Sequence, residues 1–148
     1  MVLGVVYHAS CDELFSAERG AGAFLNGKRL RVSTTAALNR ALVSTGFPYD
    51  RVTNPDNNFR QFASVTRRAQ SVRRGGSAAL DLAYVAAGRL DGHWERGLGP
   101  WDAAAAALLV AEAGGRLSGL HHELWSPTSP WTIATNGLIH DELLAALN

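Results

Sequence analysis

The chain has 148 residues, with 14 basic and 13 acidic side chains and a formal net charge of +1 at pH 7. This length suits one ordinary domain, and the balanced charge gives no global field that would favour nucleic acid or an anionic membrane as a partner. Cys11 is the single cysteine, which excludes an internal disulfide and a cysteine-based metal cage. No apolar run approaches the ~20 residues of a membrane span, and the first residues lack the basic and apolar segments of a secretion signal. We therefore expect a cytoplasmic protein.

The start of the sequence predicts β-hairpins. Four short segments have the composition of strands: Val2–Tyr7, Glu13–Ala17, Ala23–Leu25 and Lys28–Val32. The last two flank Asn26-Gly27, and this dipeptide is the strongest short-range signal for a two-residue hairpin turn. We expect the first two segments to be joined across His8–Asp12 and the last two to form a hairpin at Asn26-Gly27.

The rest of the sequence alternates strands and helices. The predicted strands are Ala41–Thr45, Ser71–Arg73, Arg89–Glu95, Gly115–Gly119 and Thr132–Thr135. The predicted helices are one that opens at Asn54-Pro55, with a cap and a first-turn proline, followed by Ser77–Ala87, Ala103–Ala113 and His140–Leu147. Such alternation is typical of an α/β fold with helices layered on a sheet.

The segment Gly97–Asp102 leads into the most apolar helix of the chain. Pro100 disfavours helix in the residue before it, and Asp102 is of a preferred N-cap type, so we expect Asp102 to cap this helix. Ala103–Ala113 combines high helix propensity with few polar side chains, which is typical of a helix buried on most sides. Asp102 is then held where the buried scaffold meets solvent, either as a cap alone or as a functional carboxylate.

The beginning of the chain suggests a missing neighbour. Val2 already lies in strand-like sequence, and only Met1 precedes it. An exposed apolar edge strand favours aggregation, and intact proteins usually shield such an edge. We therefore expect the chain to be the later part of something larger, a single region spanning residues 1–148 that is truncated at its N-terminus.

Several motifs together resemble one known family. They are Gly4–Tyr7, Arg19–Gly27, Gly46–Pro48, Gly76–Leu82, Asp91–Glu95, Trp101–Ala105 and Glu112–Gly115. Their order, spacing and residue types resemble the C-terminal part of the inositol monophosphatase family over essentially the whole chain. The resemblance implies the layered sugar-phosphatase fold, here as a mixed sheet with helices preceded by β-hairpins, and it implies a homodimer.

The resemblance also implies roles for five residues. It makes Asp102 a ligand of a catalytic Mg²⁺, and it makes Glu95, seven residues earlier, the acceptor of a hydrogen bond from a substrate hydroxyl. It places Gly76, Ser77 and Ala78 in the turn that opens a helix and lines the substrate pocket. The residues themselves leave simpler alternatives open, because Ser77 also suits a helix cap and Glu95 also suits a solvated surface.

One departure from the family limits what this chain does alone. The family's first metal-binding glutamate and its D-P-x-D-G-T stretch are absent from the sequence. Mg²⁺ is usually held by one or two carboxylates together with substrate phosphate and water, and two-metal phosphoester hydrolysis needs bridging carboxylates. Asp102 alone does not provide them. We expect a Mg²⁺-dependent phosphomonoesterase for inositol monophosphate or a related sugar or polyol phosphate, of which this chain carries only part of the active site and is inactive alone.

Alternatives to this function remain open. One alternative is a non-catalytic remnant of such an enzyme, kept for dimerisation or regulation. Another is a phosphatase for histidinol phosphate, fructose bisphosphate or a 3′-phosphonucleotide.

Among the remaining polar residues, Asp81 is interpreted as a structural acid stabilised by its helix dipole. The five histidines have no metal-ligand spacing that pairs them with acids, and Arg73 or Arg74 is a candidate for the pocket or the dimer contact.

Overall fold

A computed structural model describes residues 1–148 of the chain. The strands are β1 (Leu3–His8), β2 (Glu13–Glu18), β3 (Gly22–Leu25), β4 (Lys28–Arg29), β5 (Leu42–Thr45), β6 (Ser71–Arg73), β7 (Gly92–Arg96), β8 (Arg116–Ser118) and β9 (Trp131–Thr135). The helices are α1 (Phe59–Thr66), α2 (Ala78–Ala86), α3 (Pro100–Glu112) and α4 (His140–Leu147). The strands form two sheets, and the predicted α/β architecture is confirmed.

The first sheet is an antiparallel meander in the order β1-β2-β3-β4. Asn26 and Gly27 take φ values of 47° and 77°, and their positive φ gives the tight turn that pairs Leu25 with Lys28. The hairpin prediction is therefore confirmed, although β4 is shorter than the predicted Lys28–Val32. Alternate residues of β1, among them Leu3 and Val5, leave their side chains half exposed or more.

The second sheet has the order β6-β5-β7-β9-β8. Its strands β6, β5 and β7 are parallel, whereas β9 and β8 are antiparallel to their neighbours. The sheet is therefore mixed, and its three parallel strands end at the same edge. That edge is where the candidate site lies.

Helices fill the space between the two sheets and cover the second sheet from outside. α2 and α3 pack on each other and contact strands of both sheets, and their apolar side chains share one core with β2 and β3. α3 lies so close to β1 that a Cβ atom at Gly4 would overlap the backbone of Ala105. On the opposite face, α1 and α4 share a second core with Trp94 and Ile133 of the sheet. No helix of the chain combines the length and the apolar character that a membrane crossing requires.

The helix predicted to open at Asn54-Pro55 begins later, at Phe59. Asn58 precedes it with a φ of 72°, and its side chain is fully buried. The side chain of Asn58 is engaged in tertiary hydrogen bonds and does not cap α1. Asn54-Pro55 therefore lies in the connection before the helix, and the capping prediction for it is wrong.

The predicted start of α3 is also wrong. The helix begins at Pro100, with Gly99 as its N-cap residue, so Asp102 is the third helical residue and not the cap. Proline suits the first helical position because its missing N–H is not needed there and its fixed φ is already helical. Asp102 reaches back, and its Oδ2 accepts a hydrogen bond from the Gly99 N–H at 2.9 Å.

Candidate functional site

A cavity of about 320 Å³ lies beyond the carboxyl ends of β5, β6 and β7. In sheets with parallel strands, the loops that leave these ends commonly form binding sites, because each strand delivers the following residues to the same edge. The five residues predicted for the site all line this cavity: Gly76, Ser77, Ala78, Glu95 and Asp102. The structure therefore brings them together, and their roles remain predictions.

Glu95 contributes a carboxylate at the carboxyl end of β7. Its side chain is 14% exposed and makes no hydrogen bond within the chain. It lies against Gly46, where a Cβ atom would overlap the carboxylate. The glycine of the Gly46-Phe47-Pro48 turn is thus needed for the close approach of Glu95, and the carboxylate keeps its oxygens available to the cavity.

A buried hydrogen-bond network holds the Gly46 turn in place. The Asn58 side chain donates to the carbonyl oxygen of Gly46 at 2.7 Å and to Oγ1 of Thr45 at 2.9 Å. Its Oδ1 accepts from the indole N–H of Trp94 at 2.8 Å, and Thr45 Oγ1 donates to the carbonyl of Trp94 at 2.6 Å. These bonds join the end of β5 to the end of β7, directly behind Glu95.

Gly76, Ser77 and Ala78 form the wall that precedes and opens α2. Gly76 has a φ of 90°, which favours glycine, and Ser77 is the N-cap residue, with its hydroxyl accepting from the Leu80 N–H at 3.4 Å. The capping alternative for Ser77 is therefore observed. Because the same residues line the cavity, capping and a place in the pocket wall coexist.

Asp102 brings a second carboxylate to the cavity from the first turn of α3. One oxygen is bonded to the Gly99 N–H, and the structure gives Oδ1 no hydrogen bond. A negative charge at a helix N-terminus is favoured by the helix dipole, and a carboxylate oxygen is a ligand type that Mg²⁺ prefers. Asp102 therefore fits the part of one Mg²⁺ ligand. No group of three or more His, Cys, Asp or Glu side chains in the chain is arranged to hold a metal ion.

His93 and Asp81 add a buried polar pair that was not predicted. The His93 ring is fully buried, with Nδ1 3.9 Å from Asp81 Oδ2 and Nε2 3.4 Å from Glu95 Oε2. The spacing of the histidines in the sequence did not predict these two contacts, and they belong to no group of three side chains that could hold a metal ion. Burial raises the pKa of the Asp81 carboxyl, although the neighbouring His93 acts in the opposite direction. Stabilisation of the Asp81 charge by the helix dipole is therefore not the dominant effect.

The comparisons with known proteins decide the family. The sequence model of the inositol monophosphatase family matches residues 1–148. The chain belongs to the inositol monophosphatase family.

Its relatives in this family include both enzymes and Nus factors. It is 50% identical to an inositol-1-monophosphatase of Synechocystis over 145 residues, which cover 98% of this chain and 50% of that protein. It is 55% identical to the Nus factor SuhB of Pseudomonas aeruginosa over 109 residues, or 72% of this chain and 40% of SuhB. The chain thus spans about half the length of the curated relatives it matches.

A solved inositol monophosphatase confirms the fold. The structure of the enzyme from Anabaena (Nostoc) superposes with a TM-score of 0.96 at 47% sequence identity, covering 99% of this chain and 58% of that one. The layered fold and the family resemblance are both confirmed. The two sheets of this chain therefore have the arrangement of an inositol monophosphatase.

The rim of the cavity is aromatic and basic. The Arg74 guanidinium lies 5.4 Å from the centre of the Phe47 ring, and Tyr49 and Trp101 stand largely exposed beside the opening. Of the two arginines considered, Arg74 lines the cavity and Arg73 does not. A cation at this position attracts anionic ligands such as phosphate esters.

The sequence did not reveal the contacts that His93, Asp81 and Asn58 make at the site, and only those of His93 had a usable signal. His93 and Glu95 are two residues apart on a strand, so their side chains share one face. That periodicity alone would have placed the imidazole beside the carboxylate. For Asn58 and Asp81 no comparable signal exists, because their partners lie in segments distant along the chain.

Proposed function

We propose that this chain forms part of a Mg²⁺-dependent phosphomonoesterase that hydrolyses inositol monophosphate or a related sugar or polyol phosphate. The single observation that supports this most is the convergence of Glu95, Asp102 and the Gly76–Ala78 turn on one cavity at the carboxyl ends of three parallel strands. Membership of the inositol monophosphatase family gives the reaction class.

Each residue then has a role that its surroundings allow. Glu95 accepts a hydrogen bond from a hydroxyl of the polyol, because its oxygens are not used within the chain. The Gly76–Ala78 turn bounds the polyol, and its backbone lies at the start of α2, where N–H groups favour anions and hydroxyls. Arg74 draws the phosphate toward the opening of the cavity.

Asp102 supplies one carboxylate oxygen to Mg²⁺. When bound, the ion neutralises the charge that develops on the phosphate and its leaving oxygen. The bond from the Gly99 N–H fixes the orientation of the Asp102 carboxylate, and its second oxygen makes no hydrogen bond and is therefore available to the ion. One carboxylate is too few for this chemistry, and we propose that the remaining ligands and the group that activates water come from outside residues 1–148.

The test of this proposal is phosphate release from inositol 1-phosphate in the presence of Mg²⁺. The chain is assayed alone and after mixing with the N-terminal half of the Anabaena inositol monophosphatase, which supplies the part that this chain does not match. We expect activity only in the mixture and its loss in Asp102→Asn. Activity of the chain alone would contradict the proposal that it carries only part of the active site. Full activity of Asp102→Asn in the mixture would contradict the proposal that Asp102 binds Mg²⁺.

A 3′-phosphonucleotide is a second candidate substrate. Trp101 and Tyr49 are 85% and 103% exposed beside the cavity, and exposed aromatic rings offer faces on which a base stacks. If this substrate is the preferred one, the mixture releases phosphate faster from it than from inositol 1-phosphate, and Trp101→Ala removes that preference. If neither substrate is hydrolysed, a dimerisation or regulatory role becomes the better account. A homodimer and a cytoplasmic location also remain proposals.

A further inference from the structure

One polar atom beside the cavity has no partner. His93 is fully buried, and its Nε2 makes no hydrogen bond. A buried nitrogen without a partner is costly, and nearly all such atoms in folded proteins are paired. The atom lies 3.4 Å from Oε2 of Glu95, so the missing partner is close but not aligned for a hydrogen bond.

Four elements of the fold, β5, β7, β9 and α2, supply the groups around the His93 ring. Nδ1 lies 2.9 Å from the Ser44 hydroxyl of β5, and β9 places the apolar Ala134 opposite His93. The charged groups that face the ring are Asp81 from α2 and Glu95 from β7 itself. When the Ser44 hydroxyl donates to Nδ1, the ring proton resides on Nε2 and is directed at Glu95.

We propose that His93 is a positioning residue for the polyol, acting through Glu95. Its Nε2–H donates to Oε2 of Glu95 when a substrate hydroxyl donates to the same carboxylate. This inference rests on the proposed function, and it names the substrate feature that the site selects: a free hydroxyl within reach of the Glu95 carboxylate. His93 itself does not touch the substrate.

The geometry of the free protein allows the hydrogen bond from His93 to Glu95 to form when substrate binds. Hydrogen bonds of active sites are often long or poorly aligned without ligand and tighten in the complex. A shift of about half an ångström brings the pair to the 2.7–2.9 Å of a charge-assisted hydrogen bond. Gly46 lies against the Glu95 carboxylate and has no side chain, so no Cβ atom obstructs that movement. The carboxylate is then oriented by the protein and not by the substrate.

The first test measures the imidazole directly, in the chain as it is. Two-dimensional ¹⁵N–¹H correlation spectra of the histidine rings identify which nitrogen of His93 carries the proton. We expect the Nε2–H form and a shift of this nitrogen in Glu95→Gln, with no comparable shift in Glu18→Gln, which alters an exposed acid. The Nδ1–H form, or a resonance indifferent to Glu95→Gln, would overturn the proposal whether or not the chain takes part in catalysis.

The second test separates positioning from a general structural role. In the reconstituted enzyme, His93→Asn keeps a polar group near Ser44 but loses the donor toward Glu95, whereas His93→Gln restores a donor at the place of Nε2. For inositol 1-phosphate we expect KM to rise about tenfold in His93→Asn, with kcat within about twofold, and to recover in His93→Gln.

The control substrate is phenyl phosphate, which has no hydroxyl to be oriented. Its KM is expected to stay the same in both variants. An equal rise of KM for both substrates, or identical behaviour of His93→Asn and His93→Gln, would contradict the positioning role. If the unmodified mixture does not hydrolyse inositol 1-phosphate at all, the proposed function fails, and the imidazole spectra alone decide about the His93–Glu95 pair.

Discussion

The two ends of β7 carry the same kind of side chain in opposite states of hydrogen bonding. Asp91, just before the amino end of the strand, is 7% exposed, and its two oxygens accept from Ser33 Oγ at 2.5 Å and from the Leu42 N–H at 2.6 Å. Glu95, at the carboxyl end, accepts no hydrogen bond from the chain. Only three residues separate a carboxylate that completes the fold from one that is left for a ligand.

The buried histidines repeat this contrast. His140 bonds through both ring nitrogens, to Ser118 Oγ and Thr135 Oγ1, each at 2.9 Å. His93 bonds through one nitrogen only. A fully paired buried group indicates a structural role, whereas an incompletely paired group beside a cavity indicates a place where ligand binding changes the pairing, for His93 through Glu95.

The hydrogen bonds of Asn58 that hold the Gly46 turn behind Glu95 should contribute most to stability. Asn58→Ala removes the partners of Gly46, Thr45 and Trp94 and leaves buried polar atoms unpaired, so we expect a loss of about 3 kcal/mol of unfolding free energy. The measurement is urea unfolding followed by tryptophan fluorescence. The matched control is Asn57→Ala, whose single bond from the Phe59 N–H is exposed and whose loss should cost less than 1 kcal/mol. Equal losses in the two variants would show that the network does not support the site.

The paired histidine should give the chain a pH-dependent stability. Burial lowers the pKa of His140 from 6.5 to about 4, with Arg116 acting in the same direction. A neutral His140 therefore contributes stability above pH 6.5, and this contribution falls as the pH decreases toward 4, because the unfolded chain binds the proton first. Urea unfolding at pH 7 and pH 5 measures the difference. His140→Gln should reduce the difference in unfolding free energy between pH 7 and pH 5, and His121→Gln should leave it unchanged. A reduction in His121→Gln but not in His140→Gln would contradict the assignment of this pH dependence to His140.

Asp102 is an intermediate case, with one oxygen paired and one free. Asp102→Ala loses the bond from the Gly99 N–H and the favourable charge at the start of α3, so we expect about 1 kcal/mol of destabilisation. Asp102→Asn keeps the acceptor and should lose about half of that. Thermal unfolding compares the two. A loss of about 2 kcal/mol or more in Asp102→Asn would mean that Asp102 is a structural residue like Asp91.

Much of the fold was predictable because its signals are local. Asn26-Gly27 specified the hairpin, and the stop at Gly88 and the cap at Ser77 specified α2. The errors occurred where tertiary bonds override local preference. Asn54-Pro55 has the composition of a helix start, but the buried bonds of Asn58 delay α1 until Phe59.

The motifs predicted which residues belong to the site, but they did not predict how those residues contact one another. The Gly46 turn and Glu95 lie on one cavity because β5 and β7 are adjacent and parallel, and this order joins segments about fifty residues apart. No pattern within either segment contains that pairing. The contacts of His93 with Asp81 and Ser44 depend on the same packing, so only its shared face with Glu95 was within reach of the sequence.

The most direct test of the contrast between the two ends of β7 is the unfolding free energy of the matched amide variants Asp91→Asn and Glu95→Gln. Each replaces one carboxylate oxygen by an NH₂ group of the same size. We expect Asp91→Asn to lose about 2 kcal/mol, because one of its two buried donors then faces another donor, and Glu95→Gln to stay within about 0.5 kcal/mol of the unmodified chain. Equal losses, or a larger loss for Glu95→Gln, would contradict the view that Glu95 is held free for a ligand.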